Sequence, residues 1–161
     1  MVALFASEKR VQEAIRSVDN VSIATINGPQ NVVISGERQA VRQIREEFEG
    51  QGIKTRKLDV SHAFHSPLME PMLADFEKVA REITYSPPKI DLISLLTGEL
   101  ITDQAVNAEY WVRHVRQPVR FMAGIETLHE MGTDIWIEIG PKPTLLGMAR
   151  HLLPARQVKE I

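Results

Sequence analysis

The chain has 161 residues, of which 43% are hydrophobic and 25% charged, a composition typical of a soluble globular protein with one sizeable core. Its formal net charge of −2 implies no patch for nucleic acid or for an anionic membrane, and the absence of cysteine excludes thiol nucleophiles, disulfides and the common zinc motifs. No apolar run reaches the length of a membrane span and no basic leader is visible, so we expect a cytoplasmic protein.

The first 60 residues predict strands and helices in the order βαββαβ. Strands are predicted at residues 1–6, 21–26, 31–34 and 53–58, with the turn-rich NGPQN joining the second to the third. Ser7 is a good N-cap for the first helix, and Val41, Ile44 and Phe48 mark one face of the second. This order is the ferredoxin-like split βαβ, so residues 1–60 should form a small antiparallel sheet with two helices on one face.

The remaining residues predict helices and one buried strand. Helical spacing places apolar residues on one face of a long helix at Leu68, Met72, Phe76, Val79 and Ile83. Further helices are predicted at residues 110–115, 121–131 and 144–153, and short strands at 90–94 and 99–102. The apolar DIWIEI at residues 134–139 precedes a tight turn and a helix, so we expect a parallel strand whose neighbours lie outside these residues.

The stretch VSHAFHSPLMEPML, residues 60–73, holds the candidate chemistry. Ser66 suits an N-cap and Pro67 the first helical position, which puts His65 at a loop-to-helix junction. An exposed imidazole there can remove a proton from a hydroxyl and return it to a thiolate. Alternatively, His65 is a solvated or core histidine, or His62 and His65 bind a metal with Asp59; an HxxH pair without further ligands at a recognisable spacing makes the metal site the weaker interpretation.

The same stretch resembles the catalytic-histidine segment of the acyltransferase domain of modular type I polyketide synthases. The likeness extends, in the family's order, through INGPQNVVISGE, LISLLTGELIT, EYWVRHVRQPVRF and DIWIEIGPKPTLLGMAR, and covers residues 1–154. These acyltransferases carry a nucleophilic serine in a GHSxG elbow, whereas no GxSxG occurs in this sequence. The chain therefore looks like the C-terminal half of such a domain, with residues 61–161 as part of an α/β-hydrolase-like large subdomain.

The resemblance also implies roles for individual residues. His65 is expected to be the general base of a Ser/His dyad, oriented by a backbone carbonyl in QPVRF for which Arg120 is the nearest assignment. His62, Ala63 and Phe64 resemble the HAFH pattern of malonyl-selecting domains, whereas methylmalonyl-selecting ones typically carry YASH.

Further contacts with coenzyme A remain open at this point. Asn27 is a candidate contact for the coenzyme A or pantetheine arm, although Asn-Gly is also a common turn sequence and the turn interpretation is favoured. Lys142 and Arg116 are candidates for phosphate contacts, or simply solvated surface.

The activity implied by the resemblance is transfer of a malonyl-type extender unit. The unit would pass from coenzyme A to a serine in the N-terminal half of the domain, and then to the phosphopantetheine thiol of an acyl carrier protein. Malonyl-CoA is thus a substrate, and neither a bound cofactor nor a metal is expected. The alternative is a catalytically incomplete remnant or docking module that binds carrier protein or a neighbouring chain. An upstream GHSxG in frame distinguishes the two.

Overall fold

The computed structural model describes residues 1–101 and 106–153, and the elements of its first part follow the predicted order. The strands are β1 (Val2–Leu4), β2 (Val21–Gly28), β3 (Asn31–Gly36) and β4 (Thr55–Lys57), and the helices are α1 (Glu8–Ile15) and α2 (Arg38–Gly50). The strands form one sheet in the order β2-β3-β1-β4, and every neighbouring pair is antiparallel.

Capping side chains define where these two helices begin. The Ser7 hydroxyl accepts a hydrogen bond from the Arg10 N–H at the start of α1, as predicted. At the start of α2 the Glu37 carboxylate accepts from the N–H groups of Gln39 and Ala40. These backbone hydrogen bonds hold the pKa of Glu37 below its usual 4.5, because they stabilise the ionised carboxylate.

The main core lies between one face of the sheet and the two helices. Alternate residues of the strands point into it, as the two-residue period of a strand requires. Its most buried side chains are Leu4, Val11, Val32, Ile34 and Phe48. The opposite face of the sheet carries the smaller buried residues Ala3, Ala24 and Val33.

The second part of the chain is helical. It contains a 3₁₀ turn (Pro67–Met69) and the helices α3 (Glu70–Arg81), α4 (Ala108–Arg116), α5 (Phe121–Glu130) and α6 (Thr144–Ala149). Pro71 falls in the first turn of α3, where its missing N–H costs no intrahelical hydrogen bond. In one continuous helix its ring would clash with the carbonyl of Pro67, so the predicted long helix is divided into a 3₁₀ turn and an α-helix. None of the helices in the described ranges is long and apolar enough to cross a membrane.

Two predicted strands near the middle of the chain are wrong. Residues 90–94 and 99–101 share only the single bridge between Ile93 and Leu100, and Thr102 lies outside the described residues. A tight turn joins the two segments: the Gly98 N–H donates to the Ser94 carbonyl at 2.7 Å, with Gly98 at a φ of +84° that favours glycine. A longer ladder would extend away from this turn and would need residues after Ile101, and residues 102–105 lie outside the described part of the chain.

The strand predicted at residues 134–139 is also not formed. The segment nevertheless keeps a two-residue alternation: Ile135, Ile137 and Ile139 are exposed, whereas Trp136 and Glu138 turn inward. Trp136 packs beside Phe121 and Ile125 of α5, in a second small core. The segment has the side-chain pattern of a strand but lacks a hydrogen-bonded neighbouring strand within the described part of the chain.

Candidate active site

His65 lies at the predicted junction between a loop and a helical turn. The Ser66 hydroxyl, which is fully buried, donates to the Ala63 carbonyl at 2.6 Å and accepts from the Leu68 N–H at 3.3 Å. His65 itself has a φ of +61°, in the left-handed region that residues other than glycine rarely adopt. Such a conformation costs roughly 1–3 kcal/mol and persists only where its surroundings hold it. The contacts that hold His65 in this conformation therefore determine the geometry of the site.

The C-terminal end of α4 supplies those contacts. The His65 N–H donates to the Val115 carbonyl at 3.0 Å, and the imidazole Nδ1 lies 2.7 Å from the Gln117 carbonyl oxygen. Carbonyls at the end of a helix have no partner within the helix, so they are free to accept these bonds. Because a carbonyl can only accept, Nδ1 carries the proton and the neutral imidazole keeps its lone pair on Nε2.

The predicted orienting residue, Arg120, is corrected by this geometry. The contact falls within QPVRF, but the carbonyl that contacts His65 belongs to Gln117, the first residue of that segment. The Arg120 carbonyl instead accepts from the Gly124 N–H at the start of α5. The difference follows from the helix boundaries: α4 ends at Arg116, which leaves Gln117 next to His65, whereas Arg120 is the N-cap of the next helix.

The Gln117 carbonyl is positioned by the sheet of the first part of the chain. Two residues further on, the Val119 N–H donates to the Ala24 carbonyl at 2.8 Å, and its carbonyl accepts from the Ile26 N–H at 2.9 Å. Residues 117–120 thus run along the free edge of β2. The arrangement links the orientation of His65 to both parts of the chain.

Aromatic rings surround the His65 imidazole. The Phe64 ring centroid lies 6.4 Å from that of His65 and 6.1 Å from that of His62. On another side the His114 ring of α4 lies 6.3 Å from His65 in an edge-to-face orientation. Phe64 is 41% exposed, so its ring lines an open surface beside His65.

The pKa of His65 is lowered from its usual 6.5. The largest cause is burial, because the half-buried ring loses part of the hydration that stabilises its charged form. The Gln117 carbonyl acts in the opposite direction, and the nearby charge of His114 lowers the pKa further. The net effect favours a neutral His65 near pH 7, the form in which Nε2 can accept a proton.

The other predicted site residues lie in different settings. Asn27 belongs to β2 and not to the turn, which is formed by residues 29–30, and its side-chain oxygen accepts from the Thr25 hydroxyl at 2.6 Å. Arg116 pairs with Glu70 at 2.9 Å and joins α4 to α3, so it is not a free phosphate ligand. Lys142 is exposed before α6.

The metal interpretation gains no support from the described ranges 1–101 and 106–153, which hold no group of three histidine or acidic side chains arranged to bind an ion. Asp59, the third residue of that interpretation, is exposed.

The sequence analysis missed two residues that contact His65, Gln117 and His114. Their signal was the pattern HVRQP, in which Pro118 predicts the end of a helix just before it and so places His114 in the last turn and Gln117 directly after the helix.

Comparisons with known proteins show the family to which the chain belongs. Residues 1–160 match the model of the acyl transferase domain, so the chain belongs to the acyltransferase domain family. The polyketide synthase GfsA of Streptomyces halstedii is 38% identical over 161 residues, which cover 99% of this chain and 2% of that protein. The phenolphthiocerol synthesis polyketide synthase Pks15/1 of Mycobacterium marinum is 44% identical over 98% of this chain and 8% of its own length.

Solved structures show the same relationship. The acyltransferase domain from the second module of the salinomycin polyketide synthase matches 94% of this chain with a TM-score of 0.89 and 47% identity. The malonyl CoA-acyl carrier protein transacylase from Clostridium perfringens matches 98% of this chain with a TM-score of 0.88 and 30% identity. The chain spans 36% of the first structure and 50% of the second, so it corresponds to a part of such a domain.

Proposed function

We propose that this chain supplies the histidine part of an acyltransferase active site, with His65 as the general base and acid. The observation that carries the proposal is the contact between the His65 Nδ1 and the Gln117 carbonyl, which leaves the Nε2 lone pair available. In the first half-reaction, Nε2 takes the proton of a serine hydroxyl as the serine oxygen attacks the thioester carbonyl carbon. The imidazolium then returns that proton to the departing coenzyme A thiolate. No aspartate is required, because the carbonyl already selects the tautomer.

The second half-reaction uses the same group. Nε2 takes the proton of the phosphopantetheine thiol of an acyl carrier protein as its sulfur attacks the acyl-serine ester, and the proton returns to the serine oxygen. A malonyl-type unit carried by coenzyme A is the proposed substrate. Support comes from the names of two matched proteins, a polyketide synthase acyltransferase domain and a malonyl CoA-acyl carrier protein transacylase. Coenzyme A takes part as the substrate thioester and not as a resident cofactor.

Selectivity for the acyl group is proposed to reside in His62, Ala63 and Phe64. Phe64 supports this assignment because its partly exposed ring lies between the His62 and His65 imidazoles. A phenyl ring facing the acyl α-carbon would fill the space that a branching methyl group needs. Asn27 is a weaker candidate contact for the pantetheine arm, since its side-chain oxygen is already bonded to Thr25.

We further propose that residues 1–60 are a ferredoxin-like small subdomain and that residues 61–161 belong to the large subdomain. The strand order β2-β3-β1-β4 with two helices on one face supports the first assignment. The alternating segment at residues 134–139 supports the second, because its backbone has no neighbouring strand in the described part of the chain, which leaves a free edge, and its exposed isoleucines offer apolar surface. The N-terminal part of an acyltransferase domain is the proposed partner for that edge.

A second candidate function is a catalytically incomplete remnant or docking module that binds carrier protein or a neighbouring chain. The observation that favours it is the absence of GxSxG from these residues. In that case the chain takes part in no acyl transfer, and the contacts of His65 only support packing. The two functions differ in whether a serine supplied from outside these residues becomes acylated.

The experiment is complementation. The chain is co-expressed with the N-terminal part of a related acyltransferase domain that carries GHSxG, the pair is incubated with malonyl-CoA, and the intact mass of each chain is measured. We expect a malonyl ester on the added part and none on this chain alone. His65→Ala should slow loading by about two or more orders of magnitude, whereas His151→Ala, an exposed histidine after α6, should not.

The outcomes separate the two functions. A folded complex that does not load supports the remnant. A stoichiometric malonyl ester on the isolated chain contradicts both, and Ser61 would be the nucleophile to test, because it is exposed whereas Ser66 is buried and makes two hydrogen bonds.

A further inference from the structure

The half-buried ring of His114 has no role in the acid–base chemistry described above, yet it lies directly against His65. The two ring centroids are 6.3 Å apart, with an angle of 62° between the ring planes. His114 is in the last turn of α4, the same turn whose end supplies the Val115 and Gln117 carbonyls to His65. Two polar contacts and one aromatic contact of His65 therefore come from one short segment.

His114 is itself held in place by neighbours on α4. Its ring lies 5.7 Å from that of Tyr110 and 6.0 Å from that of Trp111. Tyr110 is anchored in turn, because its hydroxyl lies 3.1 Å from the Ser94 hydroxyl in the loop before the Gly98 turn. These contacts restrict the rotamers that the His114 ring can adopt.

The His65 imidazole needs such a surface. The ring is held by its covalent bond at Cγ and by one hydrogen bond at Nδ1, which still permits a pivot through small changes of χ1 and χ2, and such a pivot would redirect Nε2. Phe64 borders the ring at 6.4 Å, at an angle of 55°, and His114 borders it from α4. The two rings together restrict the pivot.

We propose that His114 is a positioning residue for His65: its ring packs edge-to-face against the His65 imidazole and keeps Nε2 in one direction while Nδ1 stays on the Gln117 carbonyl. This inference rests on the proposed function of His65 and extends it to a second histidine. It assigns His114 a contact with the base and no contact with substrate.

The test is nitrogen-15 NMR of the histidine side chains in the whole chain, which needs neither the serine nor a substrate. In the wild type we expect His65 to be the Nδ1–H tautomer, with slow exchange of that proton. His114→Ala should mix the two tautomers and speed the exchange by about tenfold or more. His114→Phe keeps an aromatic edge and should retain the wild-type behaviour, and His151→Ala is the matched control.

Each result decides the inference. Wild-type tautomer and exchange in His114→Ala would overturn it, and so would His114→Phe behaving like His114→Ala, since the aromatic edge would then not be what holds the ring. If His114→Ala does not fold, His114→Leu, which fills the space without a flat edge, carries the same comparison. A failure here leaves loading of the complemented domain untouched, and a failure of loading leaves the NMR result untouched, so the two proposals are tested separately.

Discussion

The imidazole of His65 and the backbone carbonyl of Gln117 are 52 residues apart in the sequence and 2.7 Å apart in the structure. Two independent elements bring them together: the end of α4 exposes the carbonyl, and the hydrogen bonds of Val119 to β2 fix the segment that follows it. A main-chain carbonyl has no pKa in the working range, so it selects the Nδ1–H tautomer at every pH at which His65 is neutral. The tautomer of the base is thus selected by a group that does not itself titrate.

The pH dependence of loading tests the environment of His65. Burial lowers the pKa of His65 below 6.5, and only the neutral form is a base, so loading by the complemented domain should lose half its rate below pH 6.5. The measurement is kcat/KM for malonyl-CoA over a pH series, with His151→Ala as the control for unrelated titrations. An acidic limb centred above pH 6.5 would show that burial is not the largest influence on the pKa of His65.

The same shift predicts how stability depends on pH. Between the lowered pKa of folded His65 and the unfolded value of 6.5, the unfolded chain binds more protons than the folded chain. The free energy of unfolding should therefore fall as pH falls through 6.5, and His65→Gln should remove that contribution. Urea titrations of the wild type and of His65→Gln at several pH values measure this contribution. If the free energy of unfolding depended on pH equally in both, the lowered pKa of His65 would be contradicted.

Selectivity for the extender unit should depend on Phe64. In the complemented domain, Phe64→Ser together with His62→Tyr should relax the preference for malonyl-CoA over methylmalonyl-CoA, because the smaller side chain opens space for the methyl group. One methyl group in an apolar pocket is worth about 1–3 kcal/mol, so the expected change is tens to a few hundredfold. Competition between the two thioesters, read by mass on the carrier protein, measures it.

The control for this experiment is loading with malonyl-CoA alone, which the double variant should retain. A variant that loads malonyl normally but keeps the wild-type product ratio would place selectivity outside residues 62–64. Phe64 would then only pack beside the two imidazoles that it contacts.

The exposed isoleucines at residues 134–139 should make the isolated chain self-associate. Ile137 and Ile139 are 78% and 97% exposed, and an unpaired extended segment with apolar side chains is a template for pairing with a second chain. Ile137→Lys should shift the population toward monomer, because a charge opposes that pairing. Sedimentation velocity over a range of concentrations measures the effect.

The matched control is Ile90→Lys, since Ile90 is 82% exposed in a different segment. We expect this variant to self-associate as the wild type does. A strictly monomeric wild type, with a cooperative melt that does not depend on concentration, would contradict the prediction that this edge is incomplete.

The turn at Gly98 should be sensitive to any side chain. A Cβ at this position would lie 2.5 Å from that of Ala123 on α5, and φ is +84°. Gly98→Ala should therefore lower the free energy of unfolding by about 2–4 kcal/mol, since the strained backbone and the steric clash add. Gly132 has nearly the same φ, +83°, but nothing within 4 Å of its Cβ position, so Gly132→Ala should cost only about 1 kcal/mol. Urea unfolding of both variants tests the difference, and equal losses would show that contact with α5 is unimportant.

Much of this protein followed from its sequence alone. The βαββαβ order, the Ser7 and Ser66 caps and the position of His65 at a loop-to-helix junction were all predicted, because they depend on local patterns of apolar residues, caps and prolines. The family was also evident from the sequence, because its blocks are carried by short contiguous motifs.

Tertiary structure decided the rest. The carbonyl that contacts His65 belongs to Gln117 and not to Arg120, because which carbonyl is free depends on where α4 ends and where Val119 meets β2. The position of His114 against His65 likewise depends on how α4 packs beside the histidine loop. The segment at residues 134–139 has the apolar alternation of a strand, but a strand also needs a neighbour to share its hydrogen bonds, and no local pattern can supply one.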